Sequence, residues 1–285
     1  MGGPRVLVID GNVAETRKLQ LAAVGYDPGT GYARVLQRLQ PDVQCDVLYG
    51  ADADSAPPRG ASLASYDGVA ITGSALCIPD GGPPVDRQLE LVAAVFDAGV
   101  PLFGSCWGLQ LAVTVAGGSV LPNPLGREFG FARRVLLSRA GREHPLYAGK
   151  PEVFEAPTVH RDYIAQLPSG AVALASNEMG LQAAAFSYRR GTAWGVQYHP
   201  EYDYQDIAAV AARYGPRLIE MGLFKDAAAL AGFMADLRAL QCAPGESALL
   251  WKYGLGPAMR DPLIRLAELR NWLTAHVLPQ REAKR

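Results

Sequence analysis

The chain has 285 residues, of which 49% are hydrophobic and 19% are charged, and its formal net charge is −1 at pH 7. This composition is typical of a globular protein that buries one large core or two small ones. Acidic and basic residues are interspersed, so the sequence lacks the basic stripe that nucleic-acid binding needs, and no apolar run is long enough to span a membrane.

Four cysteines, Cys45, Cys77, Cys106 and Cys242, are spread along the chain without a CxxC pair, which argues against a metal knuckle. The N-terminal residues show no signal-peptide pattern, and Val6 stands where a myristoylation signal requires Ser or Thr. We therefore expect a cytoplasmic protein with reduced thiols and with no metal or other cofactor.

The first half of the chain alternates short apolar runs with segments of helical pattern. Strands are predicted where β-branched runs end in turn residues, and one helix is bracketed by Pro84 near its start and Gly99 at its end. The predicted strands are residues 5–10, 45–50, 66–74 and 100–105, and the predicted helices are residues 31–40, residues 84–99 and a helix that starts at residue 106. Such alternation favours a parallel sheet covered by helices on both faces.

The pattern changes twice after about residue 127. Shorter strands separated by turns are predicted at residues 128–137, 152–160, 171–177, 181–188 and 193–199. After Glu201 the pattern is helical to the last residues, with breaks at 241–247 and 254–257. The sequence therefore predicts an α/β domain over residues 1–205 and a helical C-terminal extension over residues 206–285.

Cys106 lies at the junction of a predicted strand and a predicted helix, in the segment FGSCWGLQLAV. Gly104 and Gly108 stand two residues before and after it, where a nucleophile elbow needs small residues. A helix N-terminus favours the thiolate, and the Trp107 N–H would point to a developing oxyanion. The alternative is a buried, unreactive cysteine, and these residues alone leave the two interpretations evenly balanced.

Gln110 lies four residues after Cys106, so the two side chains share one helix face. The helix around it is almost entirely apolar, and a long amide buried there needs hydrogen-bond partners. A substrate beside the cysteine could supply them, and a backbone carbonyl across the sheet could do the same.

A cysteine nucleophile usually needs a histidine base, and His199 is the first candidate. In an extended segment before Pro200, His199 and Glu201 face the same side, so the carboxylate can orient the imidazole. His160 with Asp162 has the same spacing and is ranked lower, as a pocket or structural residue. The remaining histidines, His144 and His276, are expected in a loop and in the helical tail.

Taken together, these segments resemble the class I glutamine amidotransferases, and most closely the glutaminase domain of GMP synthase and its free-standing relatives. The resemblance runs from about residue 5 to about residue 205. It rests on the segments YDGVAITGS (66–74), PLFGSCWGLQ (101–110), GREFGFA (126–132), VHRDYIAQLPSG (159–170) and GVQYHPE (195–201). It implies an α/β, flavodoxin-like three-layer fold with a mostly parallel central sheet.

The resemblance also implies roles for individual residues. Cys106 would be the nucleophile, His199 the general base and acid, and Glu201 the residue that orients the imidazole. The implied oxyanion donors are Gly73, Ser74 and Trp107, and the implied substrate-binding residues are Gln110, Glu128, Gly130, His160 and Asp162.

The oxyanion loop departs from the family pattern, since it reads TGSA where two glycines and a proline are usual. Ser74 can still donate its N–H. We also expect the bulky Trp107 to narrow the pocket.

The implied reaction is hydrolysis of a γ-glutamyl amide through a γ-glutamyl thioester. Residues 206–285 contain neither a P-loop pattern nor a second α/β domain, so the ammonia from glutamine would pass to a separate synthetase. The alternatives are a free-standing γ-glutamyl peptidase that acts on γ-glutamyl amines or dipeptides, and a catalytically silent regulatory subunit.

The tail carries an apolar stripe at helical spacing within residues 261–278. Its members are Leu263, Leu266, Ala267, Leu269 and Leu273. Such helices most often pack on their own domain. Our hypothesis is that they also cover the active-site mouth or form the interface of a homo-oligomer.

Overall fold

The computed structural model describes residues 2–58 and 61–284 of the chain. Residues 1, 59, 60 and 285, which include the outer ends of both predicted domains, lie outside the described residues. The strands are β1 (Arg5–Asp10), β2 (Gln44–Tyr49), β3 (Gly68–Ile71), β4 (Leu102–Ser105), β5 (Ser119–Pro122), β6 (Glu128–Leu137), β7 (Val153–His160), β8 (Asp162–Gln166), β9 (Val172–Asn177), β10 (Gly180–Tyr188) and β11 (Gly191–Val196).

Helices make up most of the remaining ordered structure. They are α1 (Ala14–Val24), α2 (Pro28–Leu39), α3 (Pro83–Ala98), α4 (Trp107–Val115), α5 (Arg139–Glu143), α6 (Tyr204–Glu220), α7 (Ala227–Cys242), α8 (Ser247–Tyr253), α9 (Pro257–Arg260), α10 (Pro262–Arg265), α11 (Ala267–Trp272) and α12 (Leu278–Ala283). A π-helical turn, Leu273–Val277, joins α11 to α12.

Nine strands form the central sheet, in the order β2-β1-β3-β4-β11-β10-β9-β6-β7, while β5 and β8 form a separate two-stranded sheet. The strands from β2 to β11 in this order pair in parallel, and the pairs beyond β11 are antiparallel. Only β10 and β6 run against the other strands of this sheet, so it is mostly parallel, as expected. The C-terminal ends of β3, β4 and β11 therefore meet at one edge, where functional loops of such sheets lie.

Alternate residues of β1 enter two different cores, which gives the fold its three layers. Val6 and Val8 pack with α2 on one face of the sheet, and Leu7 and Ile9 pack with α3 and α4 on the other. Parallel strands buried on both faces read as continuous apolar runs, which is why β1 was predicted with its observed bounds. Helix α1 was not predicted, because its buried residues are Thr16 and Gln20 rather than an apolar stripe.

The C-terminal helices pack on the α/β body. Trp272 and Val277 belong to the same core as β1 and α2, and the Trp272 ring lies 5.8 Å from that of Phe103 in β4. The predicted domain boundary at residue 205 falls inside the first turn of α6. Residues 206–285 therefore begin within a helix that already starts at Tyr204, inside the predicted α/β domain.

A buried ion pair anchors this extension. Lys150 Nζ lies 2.7 Å from Glu268 Oε1, and both side chains are almost completely excluded from solvent. Tyr198 donates a hydrogen bond of 2.6 Å to the same carboxylate oxygen. Burial lowers the pKa of Lys150, and the charge of Glu268 opposes that shift.

The predicted apolar stripe of the tail is wrong at one position. Leu266, Ala267, Leu269 and Leu273 are buried, whereas Leu263 is 64% exposed. The backbone leaves the helical conformation at Leu266, with φ of −90° and ψ of 10°, so Leu263 is out of register with the residues that follow.

Among residues 2–58 and 61–284, no helix combines the length and apolar character that crossing a membrane requires. The same part of the chain contains no group of His, Cys, Asp and Glu side chains arranged to hold a metal ion. All four cysteines are unpaired.

Candidate active site

Cys106 occupies a strained turn between β4 and α4. Its φ is 50° and its ψ is −97°, a positive-φ conformation that favours glycine. Its N–H donates to the carbonyl of Val196 at 2.7 Å. A Cβ on Gly104 would lie 2.3 Å from the backbone carbonyl carbon of Gly108, so strand and helix touch as the elbow pattern predicts.

The Cys106 thiol is buried and contacts an amide that was not predicted. Gln197 Nε2 donates to the sulfur at 3.3 Å. Gln110 Nε2 in turn donates to Gln197 Oε1 at 3.1 Å and to the carbonyl of Asp162 at 3.3 Å. Gln197 precedes His199 by two residues, so the same alternation that paired His199 with Glu201 also places Gln197 on this side of the chain.

His199 is held by Glu201 as the spacing predicts. The imidazole Nδ1 lies 2.7 Å from Glu201 Oε1, and the ring stacks on Tyr202 with centroids 4.1 Å apart. Burial by itself lowers the pKa of His199, but the charges of Glu201 and Cys106 outweigh burial and raise it to about 10. The other nitrogen, Nε2, is buried without a hydrogen-bond partner in the described part of the chain.

The second oxygen of Glu201 is also occupied. Ser105 Oγ donates to Glu201 Oε2 at 3.0 Å, and the hydroxyl of Tyr32 lies 3.0 Å from Ser105 Oγ. Burial, together with the charge of Glu201, raises the pKa of Tyr32 well above its ordinary value. Neither Ser105 nor Tyr32 was predicted, because each is far from Glu201 in sequence.

The loop after β3 brings Gly73 and Ser74 beside His199. A Cβ on Gly73 would lie 2.2 Å from His199 Cε1, so this close approach requires glycine. Asn12 fastens the loop, since its Nδ2 donates to the Gly73 carbonyl at 2.9 Å and its Oδ1 accepts from Ala75 N at 3.2 Å. Neither the Gly73 nor the Ser74 N–H is bonded within residues 2–58 and 61–284.

Trp107 opens α4, where the first N–H groups have no partner inside the helix. Its indole does not narrow the pocket. The ring is buried, and its Nε1 donates to Gln88 Oε1 at 2.9 Å on the side of the sheet that faces α3. Trp107 is not among the residues of the pocket wall, which corrects the expectation drawn from its bulk.

A narrow pocket, with a cavity volume of about 40 Å³, opens at the predicted residues. Most of the residues expected in the site lie on its wall. They are Cys106, His199, Gly73, Ser74, Gln110, His160 and Asp162.

Glu128 and Gly130 do not reach the pocket wall. Glu128 Oε2 lies 2.7 Å from His160 Nε2, and its carboxylate also accepts hydrogen bonds from Asn177 and Gln182. Glu128 therefore supports His160 from behind. Gly130 lies against Phe233 of α7, because the strand that carries it is covered by the extension.

His160 has both ring nitrogens engaged, so neither is free to take a proton from Cys106. Its Nε2 contacts Glu128, and its Nδ1 contacts the backbone carbonyl of Asp162 at 2.9 Å. The carboxylate of Asp162 pairs instead with Arg161 at 2.8 Å. The lower rank given to His160 agrees with this geometry, although its carboxylate partner differs from the one that the spacing suggested.

Several other residues on the pocket wall were not assigned a role from the sequence, although Arg127 lies in the segment 127–130 that the resemblance implies to line the pocket. Arg127 and Cys77 come from the loops beside β6 and β3, and Arg213 and Tyr214 come from α6. Burial raises the pKa of the Cys77 thiol to about 12. Most of helix α6 lies in the predicted extension, so part of the extension lines the pocket, whereas no described residue of the apolar stripe within 261–278 does so.

Comparison with known proteins agrees with this architecture. The family model of glutamine amidotransferase class-I matches residues 42–209. A γ-glutamyl-L-1-hydroxyisopropylamide hydrolase from a Pseudomonas species is 32% identical over 290 residues, covering 98% of this chain and 95% of that protein. A GMP synthase from Streptomyces avermitilis is 30% identical over 203 residues, covering 70% of this chain and 35% of that protein. The chain thus spans about a third of the length of that synthase.

Two solved structures share the fold. A glutamine amidotransferase from Thermotoga maritima has a TM-score of 0.66 at 18% identity, covering 97% of this chain and 99% of that one. A glutamine amido transferase from Methylobacillus flagellatus has a TM-score of 0.57 at 18% identity, covering 98% and 96%.

Proposed function

The chain belongs to the class I glutamine amidotransferase family, and we propose that it hydrolyses a γ-glutamyl amide through a cysteine thioester. The observation that carries this proposal is the pairing of His199 with Glu201 at 2.7 Å, which leaves a buried, unpartnered Nε2 in the pocket that holds Cys106. An imidazole held in this way can give a proton and take one back.

In the proposed first step the Cys106 thiolate attacks the γ-carbonyl carbon, and the C=O electron pair moves onto oxygen. The N–H groups of Trp107 and of the loop at Gly73 and Ser74 would stabilise this oxyanion, and one such donor is typically worth about 2.7–4 kcal/mol. The C–N bond then breaks, and His199 Nε2 supplies the proton with which the amine leaves.

The second step releases glutamate. His199, now neutral, takes a proton from water as the water oxygen attacks the thioester carbon. The C–S bond breaks, and the thiolate of Cys106 and the imidazolium of His199 are restored. A pKa of about 10 for His199 supports this resting state, because the imidazole then holds its proton at neutral pH.

The amine side of the substrate has two candidate classes. The 98% coverage shared with the Pseudomonas hydrolase includes the C-terminal extension, which favours a free-standing enzyme that acts on an N-substituted γ-glutamyl amide. The match to the GMP synthase covers 70% of this chain and favours glutamine, with ammonia passed to a separate synthetase. That synthetase, a homo-oligomer and a cytoplasmic location remain predictions.

Glutamate release from L-glutamine and from γ-glutamyl amines and dipeptides tests the proposal, with Cys106→Ala as the control for the nucleophile. Faster turnover of N-substituted amides supports the free-standing hydrolase, whereas turnover of glutamine alone supports the subunit of a synthetase. Release that persists in Cys106→Ala would contradict the thioester mechanism. No release from any substrate would favour the silent regulatory subunit.

A further inference from the structure

Two arginines on the pocket wall flank one aromatic ring. The guanidinium carbon of Arg127 lies 5.2 Å from the centroid of Tyr214, and that of Arg213 lies 5.1 Å from it. Arg127 precedes β6 in the catalytic segment, while Arg213 and Tyr214 belong to α6. Stacking on a shared ring positions both cations without neutralising them.

In the part of the chain that the structure describes, neither cation has a carboxylate partner. The wall formed by these described residues has three arginines and one acidic residue, Asp162, and its third arginine, Arg161, is paired with Asp80 and Asp162. Among residues 2–58 and 61–284, no carboxylate lies within ion-pair distance of Arg127 or Arg213, and Arg213 Nε is buried without a hydrogen bond. The wall therefore carries uncompensated positive charge beside Cys106.

Arg127 is partly buried, so leaving its positive charge without an anionic partner is unfavourable. Burial lowers the pKa of Arg127, the nearby positive charges of Arg217 and Arg161 add to that shift, and Tyr214 and Cys77 oppose it. A partly buried charge without a partner is unfavourable, and an anion with two oxygens can satisfy a planar guanidinium fork. The missing partner of Arg127 is thus an anion with two oxygens, such as a carboxylate.

We propose that Arg127 and Arg213 form a carboxylate-binding site at the mouth of the pocket and select substrates that bear a carboxylate. This inference rests on the proposed function, because the carboxylate belongs to the γ-glutamyl amide. The carboxylate has two candidate sources, which are the α-carboxylate of the γ-glutamyl group and a carboxylate on the departing amine. Since Arg213 comes from α6, the extension supplies half of the site.

Steady-state kinetics of Arg127→Gln and Arg213→Gln test the site. The matched control is Arg217→Gln, which removes the same charge one turn further along α6 at an exposed position outside the pocket. We expect KM to rise about tenfold to hundredfold in each pocket variant with kcat nearly unchanged, as for a lost charge-assisted hydrogen bond. Arg217→Gln should change KM less than about threefold.

Four substrates separate the two sources. L-Glutamine carries the α-carboxylate, and 4-aminobutyramide lacks it. γ-Glutamylalanine and γ-glutamyl-1-hydroxyisopropylamide differ only in the carboxylate of the amine. An effect on glutamine that is absent with 4-aminobutyramide assigns the site to the α-carboxylate, and an effect confined to γ-glutamylalanine assigns it to the amine. Unchanged KM values for all four substrates in both pocket variants would overturn the proposal while leaving the hydrolase intact.

A binding measurement keeps the test independent of turnover. Titration of γ-glutamylalanine into Cys106→Ala protein, with and without Arg127→Gln or Arg213→Gln, should show Kd raised at least about tenfold by each arginine change. Equal Kd values would reject the carboxylate site. If the wild-type chain hydrolyses none of the substrates, the proposed function is wrong, and the Kd values still decide the role of the arginines. Thermal unfolding of each variant checks its fold.

Discussion

Ser105 donates a 3.0 Å hydrogen bond to Glu201 although the two residues are 96 positions apart. The other oxygen of Glu201 contacts His199, so the carboxylate is fixed at both ends. Ser105 directly precedes Cys106, and the turn that presents the sulfur therefore also orients the acid behind the imidazole. The turn at Ser105 and Cys106 therefore positions the sulfur and also orients Glu201, the hydrogen-bond partner of His199.

Ser105→Ala should lower kcat/KM about tenfold and the free energy of unfolding by about 1–3 kcal/mol, because a buried carboxylate oxygen loses its donor. Ser187→Ala, at an exposed position on β10, should change neither quantity. The measurements are glutamate release and denaturant unfolding. If Ser105→Ala and Ser187→Ala had the same kcat/KM and the same free energy of unfolding, Ser105 would not position Glu201.

The pH profile of kcat/KM should have a basic limb near pH 10, since the pKa of His199 is about 10 and the enzyme needs its imidazolium. Glu201→Gln removes the charge that raises this pKa and should move the limb to lower pH. Glu143→Gln, an exposed surface change, should leave it in place. A limb that is unchanged in Glu201→Gln would contradict the assigned pair.

The raised pKa of His199 also makes the stability of the fold depend on pH. The pKa of His199 is higher in the folded chain than its ordinary value of 6.5, so protonation stabilises the fold fully below about pH 6.5. That contribution is lost as the pH rises through about 10. Unfolding free energy measured between pH 6 and 10 should fall more steeply for the wild type than for Glu201→Gln, and parallel curves would argue against the shift.

Gly104→Ala should destabilise the protein by about 3 kcal/mol or more, because the new Cβ would lie 2.3 Å from backbone atoms of α4 that cannot move aside. Gly232→Ala is a control that should raise the free energy of unfolding instead of lowering it. Gly232 lies in α7 with open space around it, and alanine there should add about 0.5–1 kcal/mol. Guanidinium unfolding measures both, and a neutral Gly104→Ala would mean that strand and helix are not in contact.

Lys150→Met should cost about 3–5 kcal/mol, because it leaves Glu268 buried without its cation. Lys150→Met combined with Glu268→Gln should recover most of that loss. Arg142→Met, which breaks the half-exposed pair with Glu152, should cost less than about 1 kcal/mol. Similar losses from Lys150→Met and Arg142→Met in urea unfolding would show that the buried pair does not anchor the extension.

The features that could be predicted from the sequence depend on the spacing of residues that are close together along the chain. Gly104, Cys106 and Gly108 define the turn within five residues, and His199 with Glu201 follows from strand alternation. The bounds of β1 and β6 agree with the prediction for the same reason. In each case the determining contacts lie within a few positions along the chain.

The features that were missed depend on contacts between distant segments. Glu128 was expected to bind substrate, yet it meets His160 across two paired strands, and that contact turns it away from the pocket. Arg213 lies on the pocket wall because of how α6 packs in the fold, and no local spacing indicates that position. The outward position of Leu263 follows from a break at Leu266 that no periodicity indicates.

The Tyr198–Glu268 hydrogen bond spans 70 positions and adjoins His199. During synthesis, the Tyr198 hydroxyl can donate to this carboxylate only after α11 has left the ribosome and docked, whereas its other partner, the Tyr147 hydroxyl at 3.0 Å, is made earlier. Until then the segment that carries His199 lacks this contact with the extension. This contact therefore links the segment that carries His199 to the C-terminal extension, and it can form only once α11 has been synthesised and has docked on the α/β body.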